Sequence, residues 1–190
     1  MVPFMTESRA SIGQLRLAVP DDADAIDALM KASIEDIFPA FYDEVQTHSS
    51  IRHISAVDRM LINDGTYFVI EEAGELVACG GWSRRDKLYT GSGEGANDAR
   101  LLDPRVEPAR VRAMFVRPDR TRRGLGMQIL RACEAAAGAE GFTTLALMAT
   151  LPGLQLYQRY GFTVIEEATI PLPDGVTIAG AAMEKPIERA

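Results

Sequence analysis

Histidine, cysteine and tryptophan are nearly missing from this chain, at two, two and one of 190 residues. Metal centres draw on His and Cys clusters at ligand spacing, and no such pair exists here, so no metal is expected. Cys79 and Cys133 both fall in apolar surroundings, which favours buried reduced thiols over a disulfide and fits a cytoplasmic location. Long apolar runs are missing too. The longest, Leu76–Trp82, is diluted by Gly80 and Gly81 and falls short of the ~18 residues of a membrane span. The opening residues MVPFMTESRAS lack the basic start and apolar core of a secretory signal. Residues 1–12 read as a flexible tail ahead of one domain over 13–190. Positive charge is in deficit: the net charge is -7 and the isoelectric point is near 4.9. A general nucleic-acid or anionic-membrane binder is therefore not expected. What is present, 47% hydrophobic and 25% charged residues, is enough for one full core without disulfides or structural metal.

The pattern alternates strands and helices, which predicts a layered α/β domain. Gln14–Ala18 reads as a strand stopped by Pro20. Asp21-Asp22 then caps a helix carrying Ala25, Ile26, Leu29 and Met30 at helical spacing. Phe41–Asn63 reads as further helix, ending at the turn Asn63-Asp64-Gly65. Thr66–Glu71 and Glu75–Trp82, joined through Glu72-Ala73-Gly74, form a predicted hairpin. From Ser83 to Ala109 the chain is rich in charge, Gly and Pro, and is too long for an idle connection. Val111–Val116 is a strand, Arg123–Ala139 a helix, Thr143–Ala149 a strand and Gly153–Tyr160 a short helix. Phe162–Glu167 and Val176–Met183 are the final strands.

The sharpest local signal is Val116-Arg117-Pro118-Asp119-Arg120-Thr121-Arg122-Arg123-Gly124-Leu125-Gly126-Met127. A strand stops at a proline, the short loop around it carries four arginines, and two glycines open a helix. Helix starts carry free N–H groups and partial positive charge, and glycine lets backbone approach a ligand. Together they suit a phosphate or pyrophosphate. No Gly-Lys-Ser/Thr is present for a nucleoside-triphosphate loop, and Ile129 stands where a dinucleotide fingerprint needs its third glycine. The plainer alternative is a solvated arginine loop with an eased helix start.

Met114-Phe115-Val116-Arg117-Pro118, followed by Arg122-Arg123-Gly124-Leu125-Gly126, resembles the acyl-CoA signature of the GNAT superfamily of N-acetyltransferases. Downstream, Leu156-Tyr157-Gln158-Arg159-Tyr160-Gly161-Phe162 resembles the family's Leu-Tyr-x-x-x-Gly-Phe. The two are separated by one helix and one strand, as the family requires. The resemblance implies a single α/β (α+β) domain. Its sheet would be mixed, mostly antiparallel and twisted, with about seven strands, helices on both faces and a splay between strands 4 and 5. It implies that backbone amides of Arg122, Arg123, Gly124, Leu125, Gly126 and Met127 hold the pyrophosphate of acetyl-CoA. Backbone groups of Met114, Phe115 and Val116 would hold the pantetheine arm in the splay like an added strand. Two departures stand out. Thr121 replaces the family's Gln/Arg three residues before the first glycine, and Thr150-Leu151-Pro152-Gly153 lacks the Asn that many members carry after the fifth strand. Dimerisation is common in the family, so a homodimer is a further expectation.

The implied reaction is direct attack of a neutral amine on an acyl thioester. A backbone N–H near Met114–Val116 would stabilise the oxyanion. By position, Tyr157 resembles the family's general acid. A phenol near ~10 stays protonated at neutral pH and can serve a thiolate near ~8.5. On spacing alone, Tyr157 reads first as packing beside Leu154 and Leu156. Glu71, Glu72, Asp103 and Glu107 are candidate bases without a spacing argument. His48 and His53 suit proton transfer, but their five-residue spacing does not share a helical face and both read as surface residues; water-mediated deprotonation is an equal contender. Cys133 reads as packing. Trp82 and Arg84, at the start of the long loop, are candidate walls of an acceptor pocket. The acceptor is expected to be a small-molecule or peptide amine, with no nucleic acid or membrane partner. The rival reading is a non-catalytic acyl-CoA binding or sensing module of the same fold.

Overall fold

The computed structural model describes residues 13–86 and 100–188. The expected tail 1–12 and the middle of the long loop lie outside the described residues.

Strands β1 (Gln14–Leu17), β2 (Tyr67–Glu72), β3 (Glu75–Ser83), β4 (Ala109–Val116), β5 (Thr144–Thr150), β6 (Thr163–Pro171) and β7 (Thr177–Pro186) form one sheet in the order β1-β2-β3-β4-β5-β7-β6. Within this order β4 and β5 run parallel and the other neighbours antiparallel. The mixed, mostly antiparallel seven-strand sheet is as expected. Helices α1 (Ala23–Ile37), α2 (Glu44–His53) and α3 (Arg59–Asn63) precede the hairpin; α4 (Leu125–Ala139) and α5 (Leu154–Tyr160) flank β5 in sequence.

The helices fall on opposite faces because their apolar stripes face opposite ways. On one face Ile26, Leu29 and Met30 of α1 pack with Leu61, Tyr67, Val69 and Cys79. On the other, Leu125, Ile129, Leu130 and Cys133 of α4 pack with Val77, Ala78, Leu145 and Leu147. A third cluster joins Ile34, Phe38 and Tyr42 to Ile170, Leu172 and Ile178 of the last hairpin.

Several boundaries differ from the sequence reading. The expected helix over Phe41–Asn63 is two helices. Asp43 and Gln46 close a reciprocal cap at α2, and Asp58 caps α3 through the Met60 amide, so the chain starts twice. Glu72 belongs to β2, leaving Ala73 and Gly74 to turn the hairpin. β4 begins at Ala109, and β6 and β7 run to Pro171 and Pro186. The two ends of the long loop pair with each other: Arg85 bridges Leu101, and the Asp86 and Leu102 amides donate to Arg100 and Arg84 carbonyls.

Candidate active site

The parallel pair is short. β4 and β5 are in register only at Ala109↔Leu145 and Arg110↔Ala146. Beyond those pairs β4 stays on β3 as far as Val116, while β5 stays on β7 as far as Thr150. The two strands therefore part toward their C-terminal ends, and the edges of 111–116 and 147–150 form no ladder with one another. This is the splay the sequence implied. Phe115 and Met148 pack from beneath it onto the cluster of Ile34, Phe38 and Tyr42.

β4 also carries a bulge at the mouth of the splay. Its register against β3 slips between Cys79↔Phe115 and Gly81↔Arg112, and Ala113 has a left-handed backbone, φ 53°. A side chain at Gly80 would collide with Met114. The Tyr67 hydroxyl, fully inside the protein, donates to the Ala113 carbonyl at 2.9 Å. One residue earlier, Arg112 donates to Asp58, a pair almost wholly shielded from water. Sequence reasoning read Tyr67 only as a strand former and left Asp58 and Arg112 unmarked. The adjacent Gly80-Gly81 was the available signal, since paired glycines inside a strand mark a bulge or a close approach.

After β4 the chain makes a turn of 3-10 helix at Pro118–Arg120, then reaches the glycines. Arg122 and Gly124 are both left-handed, at φ 61° and 81°, and Gly124 caps α4 without a side chain. Alternation of this kind turns successive amides the same way. The Gln128 amide is the first to bond back, to the Gly124 carbonyl at 3.0 Å. Among the described residues no hydrogen bond is donated by the amides of Arg122, Arg123, Gly124, Leu125, Gly126 or Met127. The turn thus offers a run of undonated amides. Its two glycines differ in purpose. Gly124 supplies the backbone conformation, whereas a Cβ on Gly126 would meet Leu156 of α5 at 2.7 Å. Gly126 thus draws the helix of Tyr157 against the start of α4.

Most of the arginines here are already paired. Arg117 bonds Asp119 and Glu75, while Arg120 bonds Glu72 and Asp119. Arg123 also bonds Glu72. The turn is therefore less positive than its sequence suggests, and the free amides are its main attraction for an anion.

Tyr157 lies on α5, which begins just past the open end of β5. Its ring packs edge-on to Phe162 and beside Gly153, and the residue is 9% exposed. Among the described residues its hydroxyl has no hydrogen-bond partner, and burial pushes its pKa up. Cys133 is wholly buried with its thiol pushed up as well, in keeping with packing.

Other candidates are placed elsewhere. Trp82 pairs with Val111 at the closed end of the sheet, is 1% exposed, and stacks edge-on to Phe142. Arg84 lies over the Trp82 ring and bonds Glu140 at 2.7 Å. β3 thus carries both to the end of the sheet at which β4 and β5 are paired, beside the C-terminal end of α4. Glu71 bonds Arg16, Asp103 bonds Arg105, and Glu107 bonds Arg100. His53 lies 3.3 Å from Asp174, and His48 lines a groove between α1 and α2. Sequence reasoning also missed Tyr42. Its hydroxyl donates to Ala179 at 2.7 Å and accepts from the Leu151 amide at 2.8 Å, tying the end of β5 to β7.

The sheet order, the parted parallel pair and the free helix start together define an acetyltransferase-type fold. A GCN5-related N-acetyltransferase from Rhodopseudomonas palustris shares that fold with a TM-score of 0.71 at 22% identity, over 95% of this chain and 99% of that one. PaiA N-acetyltransferase from Thermoplasma acidophilum, solved with coenzyme A, gives 0.65 at 16% identity, over 92% and 99%. YncA from Salmonella typhimurium, solved with acetyl-CoA, gives 0.62 at 16%, over 95% and 96%. No curated protein sequence matches the chain. The acetyltransferase (GNAT) domain profile matches residues 63–164, more than half of the chain, and the protein belongs to the GNAT acetyltransferase family.

Proposed function

We propose that this protein transfers an acetyl group from acetyl-CoA to a primary amine by direct attack. The observation that carries the proposal is the run of undonated amides at 122–127 beside the mouth of the β4–β5 splay. Those amides would take the coenzyme's diphosphate, and the unpaired edges of Met114, Phe115 and Val116 would take the pantetheine arm as a guest strand. The thioester would then come to rest at the bulge.

In the reaction the neutral amine nitrogen bonds to the thioester carbon. The carbonyl electron pair moves to oxygen, where a β4 amide stabilises it. The C–S bond then breaks, nitrogen loses a proton, and sulfur gains one. Tyr157 is the proposed acid at sulfur. Burial keeps its phenol protonated through neutral pH, so it remains a donor throughout. The amine's proton leaves through water, since Glu71, Glu72, Asp103 and Glu107 are each held by an arginine. Arg84 and Arg85 are engaged by Glu140 and Asp64, which weakens the case for an acidic acceptor held by these two arginines. The acidic balance of the chain favours a cationic small-molecule or peptide amine.

The test is turnover of acetyl-CoA over a panel of amines, read as free thiol. Tyr157→Phe should lower turnover ~10- to 1000-fold while coenzyme A still binds. Unchanged turnover in the purified variant removes Tyr157 from the chemistry. Tight acetyl-CoA binding without turnover on any amine would instead support a sensing module.

A further inference from the structure

We propose that Tyr67 is a positioning residue for the reaction, acting through the peptide that joins Ala113 to Met114; this rests on the acetyl-transfer reading above. The Tyr67 hydroxyl donates to the Ala113 carbonyl, and none of the described peptide bonds is cis. In a trans peptide the C=O and the following N–H point in opposite directions. A hydroxyl that fixes the Ala113 oxygen therefore fixes the Met114 N–H, aiming it away from Tyr67.

The two groups lie on different faces. Tyr67 and Ala113 belong to the cluster under α1, whereas Met114 packs with the cluster under α4. Because Tyr67 lies under α1, the Ala113 oxygen that it holds faces that side, and the Met114 N–H is turned away from it. Hydrogen bonds in series strengthen one another, so a donor at the Ala113 oxygen also makes the Met114 N–H a better donor.

The surroundings hold Tyr67 to this partner. It is 1% exposed, and its ring lies against Gly81, where a Cβ would meet the ring at 2.6 Å. Neighbouring groups that face it are the Cys79 thiol, Asp58 and Arg112; Asp58 and Arg112 bond each other, and burial pushes Cys79 up to about 12. The Cys79 thiol also interacts with the Tyr67 hydroxyl, but a thiol is a weaker acceptor than a carbonyl, and Asp58 is engaged by Arg112, so the Ala113 carbonyl is the stronger partner. Ala113 has no glycine-like freedom of its own, so its left-handed backbone needs outside support.

The experiment compares the wild type with Tyr67→Phe, which keeps the ring and removes the hydrogen bond. The expected result is a ~10- to 100-fold fall in kcat with coenzyme A affinity unchanged. The preference for acetyl-CoA over coenzyme A should also shrink, because only the acetyl carbonyl reads the Met114 N–H. Ile26→Val in the same apolar cluster is the control for mere loosening. It should lower Tm and leave kcat alone.

A Tyr67→Phe enzyme with wild-type kcat and wild-type preference for acetyl-CoA overturns the inference, as does an equal kcat loss in Ile26→Val. If Tyr67→Phe does not fold, 3-fluorotyrosine placed at 67 decides. A more acidic phenol should shift the thioester carbonyl stretch of bound acetyl-CoA to lower frequency, and an unshifted band overturns the inference. Absence of turnover in the wild type would refute the acetyl-transfer reading itself, which is a separate result.

Discussion

Two glycines set one turn apart from an ordinary arginine loop, each for its own reason. Nothing lies within 4 Å of a Cβ built on Gly124, yet its φ of 81° is costly for any residue with a side chain. Gly124→Ala should lose about 1–2 kcal/mol of stability from the left-handed backbone. It should also weaken coenzyme A binding, because relaxing the turn spreads the amides. Denaturant unfolding and calorimetric titration check both, and an unchanged pair of values would show that the turn does not depend on φ here. The need for glycine at 124 was legible in the sequence. The reason for Gly126 was not, since its neighbour Leu156 is distant in the chain. The same holds for Tyr42 and Tyr67: Tyr67 read only as a strand former and Tyr42 carried no signal of its own, and only folding gave their hydroxyls partners.

Among the elements, the first strand and first helix are tied by charge. Asp22 takes both guanidinium nitrogens of Arg16 and also accepts from the Val19 amide. The guanidinium beside it holds the Asp22 carboxyl below its usual range, against the opposing effect of burial. A depressed folded pKa means stability that is full above the unfolded value, near ~3.9, and lost as pH falls through the folded one. Asp22→Asn should therefore cost about 1–2 kcal/mol at pH 7, and the difference should begin to narrow below about pH 4 and close only once pH falls below the depressed folded value. Urea unfolding at pH 7, 5 and 3 reads this directly; a gap that does not narrow at all between pH 5 and pH 3 would count against the ion pair as its source. The elements themselves were largely legible. Apolar spacing marked α1 and α4, and Pro118 and Gly124 marked the break before α4. The exception was Phe41–Asn63, where helical spacing ran on across two capped starts because Asp43 and Asp58 look like surface charges until their amide partners are known.

At the scale of the molecule, an acidic protein is proposed to hold a polyanion, and the conflict is resolved locally. Glu72, Glu75 and Asp119 neutralise Arg117, Arg120 and Arg123, so attraction falls to fixed backbone dipoles. Coenzyme A at about one hundred times its Kd should add about 2.7 kcal/mol, or roughly 5–11 °C in Tm for a chain of this size. Inorganic phosphate at the same concentration should do far less, since it cannot enter the splay; equal shifts would reduce the site to a phosphate sink. No helix among the described residues is long and apolar enough to cross a membrane, in line with the diluted run at Leu76–Trp82. By itself the sequence determined the alternation of strands and helices, the glycine turn and the position of Tyr157, because these depend on local spacing and backbone preference. Only tertiary structure decided where β4 leaves β5, which way the Ala113–Met114 peptide faces, and that Trp82 and Arg84 belong to the closed end. Those features arise from pairing between strands far apart in the chain, and no local pattern encodes the register in which distant strands meet.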